Sequence, residues 1–201
     1  MGEIINHLKT FARKSQNRQE PVLLVDCLKQ ALDLISHLAE RDQVQILFER
    51  PEKTLWVRGD PVRLEQVFIN LLSNAIQALS SQPNKQIRIC FTLAENYVTV
   101  SIRDNGPGIE ESILESIFDP FFTTKEVGEG LGLGLSIVYG IMMEHGGTIQ
   151  ARNREGAEIL VELPLLSDIP ADCEDRDHSA GRAEFDHEQH GLSDADGSNE
   201  T

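Results

Sequence analysis

The sequence predicts a two-layer α/β sandwich, in which a mixed β-sheet packs on α-helices. Three observations carry this. Helical and strand-like segments alternate through residues 19–167 instead of falling into separate blocks. Some successive strands are joined by turns too short for a crossover helix, which makes them antiparallel neighbours, while other connections are long. Hydrophobic residues make up 40% of the 201-residue chain, enough for the core of one domain with extensions.

The elements follow in order. Residues 3–14 carry Ile4, Leu8 and Phe11 at helical spacing. A short apolar run over 21–25 reads as a strand, and Asp26 is placed to cap a helix bearing Leu28, Ala31, Leu32, Ile35 and Leu38 on one face. Strands are expected over 44–48 and 54–58, around the polar "RPEK". Asp60-Pro61 opens a second helix, Asp as cap and Pro at the first position, and "SSQPN" ends it after Leu79. "QIRICFTL" and "YVTVSIRD" alternate in polarity and form a hairpin around Ala94-Glu95-Asn96. A short helix near 110–117 precedes a loop, a glycine-rich run and a helix ending at Gly146-Gly147. Strands over 148–153 and 158–163 close the domain at Pro164, and His145 is read as part of the turn before them. The domain is assigned to 19–167, and the acidic, polar 168–201 is expected to be disordered.

Charge narrows the function. Formal net charge is −15, of which the eleven Asp/Glu and two Arg of 168–201 contribute −9 and residues 1–167 the remaining −6. Nucleic acid is excluded as a partner, because it selects clustered Lys and Arg. Cys27, Cys90 and Cys173 are scattered and odd in number, which fits a reducing compartment and neither a disulfide framework nor a zinc site. The opening MGEIINHLKTFARK is too polar for a signal peptide, and no apolar run is long enough to span a membrane. The expectation is a cytoplasmic chain, or the cytoplasmic part of an inner-membrane sensor.

Chemistry concentrates in three places. In "DPVRLEQVFINLLSNAIQALS", Leu64, Val67, Phe68, Leu71, Ala75 and Leu79 form a core stripe, while Asn70 and Asn74 share another face, roughly 5–6 Å apart. Asn is unfavourable inside a helix. The pair is either a solvated edge, extended by Gln66 and Gln77, or a ligand face whose amide oxygens suit Mg²⁺. In "YVTVSIRDNGPG", Asp104 shares parity with Val98, Val100 and Ile102. A strand reaching Asp104 buries its carboxylate among apolar side chains, where it needs a partner such as the amino group of a base. A strand stopping at Arg103 makes Asp104 the start of a turn. The third place is "FDPFFTTKEVGEGLGLG", residues 118–134, where three of eight phenylalanines lead into alternating Gly and Leu. It has neither G-x-x-x-x-G-K-[ST] nor G-x-G-x-x-G. Bare backbone before a helix N-terminus remains an anion site, with Thr123, Thr124 and Lys125 placed to close on phosphates; a flexible linker is the alternative, against which the leucines count.

In combination these segments resemble the catalytic ATP-binding domain of sensor histidine kinases, within the GHKL superfamily that includes gyrase B, MutL and a heat-shock chaperone ATPase. Asn70–Asn74 matches the N box, Asp104–Gly108 the first glycine box, Phe118–Lys125 the F box, Gly128–Gly134 the second glycine box and His145–Thr148 a further glycine turn. The similarity covers about 20–165, and the wording "FDPFFTTKEVGEGLGLGLSIVYG" is most similar to sensors of the dicarboxylate-transport and nitrogen-regulation type.

The resemblance implies a Bergerat fold, ATP and Mg²⁺. It implies that Asn74 holds the metal with Asn70 assisting, that Asp104 reads the adenine amino group, and that Gly106 and Gly108 admit the nucleotide to the backbone. The segment from Phe118 to Gly134 becomes a lid, with Phe121, Thr123, Thr124, Lys125, Gly128, Gly130, Leu131, Gly132, Leu133 and Gly134 on the nucleotide. The partners it implies are a phosphoacceptor histidine hairpin, a response regulator and a second copy of the full-length protein; residues 1–18 resemble the second helix of that hairpin. Two positions depart from the pattern. Gln77 stands where a phosphate-binding Lys is common, and Ala157 where a Thr supports the adenine-binding Asp, a contact then left to water or another side chain. No His-acidic-Pro acceptor motif occurs among His7, His37, His145, His178, His187 and His190. The two functions in competition are phosphoryl transfer to a hairpin histidine and nucleotide-dependent docking without transfer. A gyrase-like ATPase is disfavoured, because those relatives place a Glu base where Asn70 stands, and Asn cannot take a proton.

Overall fold

The computed structural model describes residues 19–124 and 131–167. The readings of 1–18 and 168–201, and of Lys125, Gly128 and Gly130, lie outside them.

Seven strands and three helices are present among the described residues. Strand β1 (Glu20–Leu23) runs directly into helix α1 (Leu24–Arg41); β2 (Val44–Phe48) and β3 (Trp56–Gly59) precede α2 (Pro61–Ala78). The hairpin β4 (Lys85–Leu93) and β5 (Tyr97–Asp104) follows, then helix α3 (Gly134–Glu144) and the pair β6 (Thr148–Asn153) and β7 (Ala157–Pro164). The main sheet has the order β2-β4-β5-β7-β6, with β2 and β4 parallel and the other neighbours antiparallel. The predicted mixed sheet is present. The strands on either side of "RPEK" do not pair with each other, since β3 joins β1 in a separate two-stranded sheet.

The core lies between the main sheet and the helices. Ile87, Ile89, Val98, Val100, Ile102, Val161 and Leu163 face inward, and every residue of the predicted α2 stripe is buried against them or against α1. The opposite face of the sheet is polar, tied by Arg88–Glu49 at 2.9 Å, Arg103–Glu155 at 3.6 Å and Arg152–Glu158 at 2.5 Å. Glu158 is buried on that face, and Ser101 also donates to it at 2.6 Å. Its carboxyl is held below the usual range: burial opposes ionisation most strongly, but the hydrogen bonds from Arg152 and Ser101 outweigh it.

Helix boundaries follow local chemistry, with two corrections. Asp60 caps α2 as expected, accepting from the N–H groups of Val62 at 3.0 Å and Arg63 at 3.3 Å. Asp26 does not cap α1. The cap position is Leu23, whose apolar side chain has no acceptor to offer; the Leu24 N–H instead donates to Leu55 O at 3.0 Å where β1 enters the helix. Asp26 lies in the first turn, where its charge favours the helix dipole. The helix expected near 110–117 is two separate 3₁₀ turns, Glu111–Ile113 and Ser116–Phe118. Helix α3 ends as predicted: Gly146 has φ +67°, Gly147 N–H bonds Met142 O at 2.9 Å, and Gly146 N–H bonds Met143 O at 3.1 Å.

Candidate functional site

Strand β5 reaches Asp104, so the parity argument holds over the turn alternative. Val98, Val100, Ile102 and Asp104 are all buried along one face, and Asp104 lies opposite Ile87 in the register. The turn begins one residue later. Asn105 Oδ1 accepts from Gln86 N–H at 2.8 Å, and its Nδ2 donates to Asn84 O at 2.7 Å.

The Asp104 carboxylate is 6% exposed and has backbone partners. Its Oδ1 accepts from Gly106 N–H at 2.8 Å and from Ala157 N–H at 3.3 Å. The second donor is the main chain of β7, which is available whatever side chain stands at 157. Burial is the largest influence on this carboxyl and pushes its pKa up, against the lowering effect of the Gly106 and Ala157 N–H groups.

The loop after β5 is fitted to this carboxylate. A Cβ on Gly106 would lie 2.9 Å from Asp104 Oδ1 and 3.4 Å from Ala78 O at the end of α2. Gly108 has φ +79°, and a Cβ there would meet Asn153 Oδ1 at 2.8 Å. Both glycines are therefore required by contacts within the protein. Asn153 braces the loop twice, accepting from Ile109 N–H at 2.8 Å and donating to Ile109 O at 2.6 Å. Its sequence context, "ARNREG", holds no signal of that role.

Asn70 and Asn74 lie half-buried on one face of α2, as their spacing predicts. That face meets the start of α3. Asn70 Nδ2 donates to Gly134 O at 3.4 Å, and a Cβ on Gly134 would stand 3.7 Å from the Asn74 amide. Ala78, against which Gly106 packs, is one helical turn beyond Asn74, about 6 Å along the axis. The Asn pair, the buried Asp104 and the N-terminus of α3 thus border one stretch of α2. Among the described residues no group of three His, Cys, Asp or Glu is placed to hold a metal.

The two described ends of the expected lid are joined. Phe121 N–H donates to Gly132 O at 3.0 Å. Gly132 has φ +64°, and a Cβ there would lie 2.5 Å from both Phe121 C and Phe122 O. Phe121 itself has φ 68° and is 73% exposed, an apolar side chain held outward on strained backbone. Thr123, Thr124 and Leu131 are exposed beside it. Leu133 precedes α3 and accepts from Ser136 Oγ at 3.0 Å, while Leu135 packs on the core.

His145 lies in the turn directly after α3, as read from the sequence, but it is buried there, only 6% exposed, which the turn reading does not reveal. Asp60 N–H donates to its Nε2 at 3.0 Å.

Comparison with known proteins follows the same lines. Residues 59–167 match the family described as histidine kinase-, DNA gyrase B-, and HSP90-like ATPase. The chain is 36% identical over 171 residues to the C4-dicarboxylate transport sensor protein DctB of Pseudomonas aeruginosa, covering 85% of this chain and 28% of that protein. It is 34% identical over 156 residues to the sensor histidine kinase ZraS of Escherichia coli, covering 78% of this chain and 33% of that one. The chain thus spans about a third or less of these relatives. The nucleotide-free catalytic domain of histidine kinase ThkA superposes with a TM-score of 0.66 at 36% identity, covering 73% of this chain and 95% of that domain. ThkA in complex with the response regulator protein TrrA gives 0.68 at 31% identity over 82% of this chain and 47% of that one.

Proposed function

The chain belongs to the histidine kinase-, DNA gyrase B-, and HSP90-like ATPase family, and from that premise we propose that residues 19–167 bind Mg-ATP and present its γ-phosphoryl group to a histidine on the dimerisation hairpin of a sensor kinase. The observation that carries this is the buried Asp104 carboxylate closing an apolar strand face, its Gly106 loop packed on Ala78 one helical turn beyond Asn74. An acceptor-only group in an apolar wall selects a base with an exocyclic amino donor, as adenine has. The Asn pair and the N-terminus of α3, which meet at Gly134, are taken to receive the phosphates of a nucleotide anchored at Asp104.

The residues divide the work. Asp104 accepts from the base, oriented by the Gly106 and Ala157 N–H groups. Asn74, with Asn70 beside it, offers amide oxygen to Mg²⁺, which would neutralise phosphate charge. Gly134 opens α3, whose N–H groups and positive dipole end would face the phosphates. Phe121, Thr123, Thr124, Lys125, Gly128, Gly130, Leu131, Gly132 and Leu133 form the closing segment. With Gln77 in place of a cationic side chain, phosphate charge falls to metal, backbone and Lys125. Transfer exchanges the P–O bond to ADP for a P–N bond to imidazole, so position and charge are what this chain contributes. The full-length protein is proposed to be a homodimeric sensor working on the cytoplasmic side and passing the phosphoryl group to a response regulator.

The test is transfer of labelled phosphate from ATP to a separately supplied acceptor hairpin. Label on the hairpin histidine is the expected result. ATP binding without label would leave a nucleotide-dependent docking module, and no ATP binding would overturn the site. Asn74→Ala should cut Mg-dependent ATP affinity by about tenfold or more, the cost of one charge-assisted contact, with the fold intact.

A further inference from the structure

We infer that His145 is a positioning residue: it clamps the far end of α3 to the cap of α2, and so sets where the N-terminal end of α3 stands against Asn70 and Asn74. The importance of that end rests on the nucleotide reading above; the clamp itself is visible without it.

Helix α3 has eleven residues, about 16 Å of length, and runs antiparallel to α2. Its first residue meets Asn70 and Asn74. Its last turn meets the start of α2 through two polar contacts. His145 Nδ1 lies 2.7 Å from Ile141 O, and a carbonyl only accepts, so Nδ1 carries the proton. Nε2 is then an acceptor and takes the Asp60 N–H at 3.0 Å. Asp60 is the N-cap of α2, so the neutral ring joins the end of one helix to the beginning of the other. Beside it, Arg63 Nη2 pairs with Glu144 Oε2 at 2.7 Å. Gly59 is fitted to the ring, since a Cβ there would lie 2.4 and 2.7 Å from two of its atoms.

Why a clamp is needed follows from the composition of the other end. Gly132 and Gly134 enter and open α3 with no side chain of their own to pack, so few contacts hold the helix start, among them Phe121 N–H to Gly132 O and Asn70 Nδ2 to Gly134 O. Val138, Ile141 and Met142 bury one side of α3, but apolar burial has little directional preference and tolerates sliding and rotation. Hydrogen bonds are directional. The bonds at Asp60 and Arg63 therefore fix the axial position and rotation of α3 from the end remote from the lid, and the short helix transmits that position to Gly134.

The experiment uses the full chain. His145→Leu removes the acceptor; His145→Gln restores one at the reach of Nε2. Three quantities are read: Mg-ATP affinity, adenosine affinity, and amide hydrogen exchange over 134–138 without nucleotide. For His145→Leu, ATP affinity should fall about tenfold with adenosine within about twofold, exchange at 134–138 should rise, and Gln should recover most of both changes. Equal losses of ATP and adenosine, or unchanged exchange at 134–138, would overturn the clamp. Should His145→Leu not fold, His145→Asn, too short to reach the Asp60 N–H, takes its place; unchanged exchange at 134–138 in that variant overturns the inference equally. If the unmodified chain binds no ATP, the nucleotide reading fails and the exchange measurements alone decide the clamp.

Discussion

Asp104, proposed to read the base, shows most plainly how a single residue can carry a cost to folding. Its carboxyl pKa is raised by burial, so the folded protein holds that proton more tightly than the unfolded chain does. Stability from this group is therefore greatest below the free carboxyl range, near pH 4, and declines as pH rises through the unfolded and then the folded pKa. Asp104→Asn keeps the oxygen that accepts from Gly106 and Ala157 and removes the buried charge. Its melting temperature should exceed that of the unmodified chain at pH 7, with the gap closing toward pH 4, while ATP affinity falls about tenfold or more through loss of a charged acceptor. A variant less stable at neutral pH, measured by calorimetry, would contradict this account. Phe121 makes the same trade through its backbone. Phe121→Gly relieves a left-handed φ that costs about 1–2 kcal/mol in an L-residue, and its 73% exposed ring packs little, so stability should hold or rise. If the ring closes on the nucleotide as proposed, ATP affinity should fall in that same variant.

At the scale of elements, one hydrogen bond joins the two described sides of the segment proposed as a lid. Phe121 N–H to Gly132 O pins its base, and Gly132 can take no side chain without striking the Phe121 and Phe122 backbone. Gly132→Ala should destabilise by about 1–3 kcal/mol in denaturant unfolding, more than an ordinary surface substitution, because it adds a steric clash to a positive φ. Sequence periodicity located α2, α3 and the β4–β5 hairpin well, since each has a one-sided apolar pattern and a marked terminus. It erred where pattern and partner diverge. Asp26 has the chemistry of a cap, yet the donors it would serve depend on how β1 enters α1. Residues 110–117 have helical composition, but they form only two isolated 3₁₀ turns.

Over the whole molecule, β3 is where the described domain is tied together. It pairs with β1, bridges Leu165 from Val57, and its Trp56 carbonyl accepts from Leu166 N–H at 2.8 Å. The first and last described segments therefore meet on one strand, which leads through Gly59 into the Asp60–His145 contact. The core itself centres on α2, between the sheet and α1. Phe68, 1% exposed, should cost about 3–5 kcal/mol on replacement by Ala, a large fraction of the roughly 5–15 kcal/mol available to a domain. Thermal or denaturant unfolding measures it.

By itself the sequence determined the mixed two-layer fold, the shared face of Asn70 and Asn74, the inward parity of Asp104 and the glycine-rich approach to α3. Each of these follows from a local period or from a residue type at a fixed offset, and such signals survive without tertiary context. Only the tertiary structure decided that the Ala157 N–H reaches Asp104, that Asn153 braces the Gly108 loop, and that His145 is an interior joint between helices. Those contacts join residues 53, 44 and 85 positions apart. No local pattern encodes a partner at that distance; packing of the sheet against the helices brings the groups together, and burial then requires each polar atom to find its match.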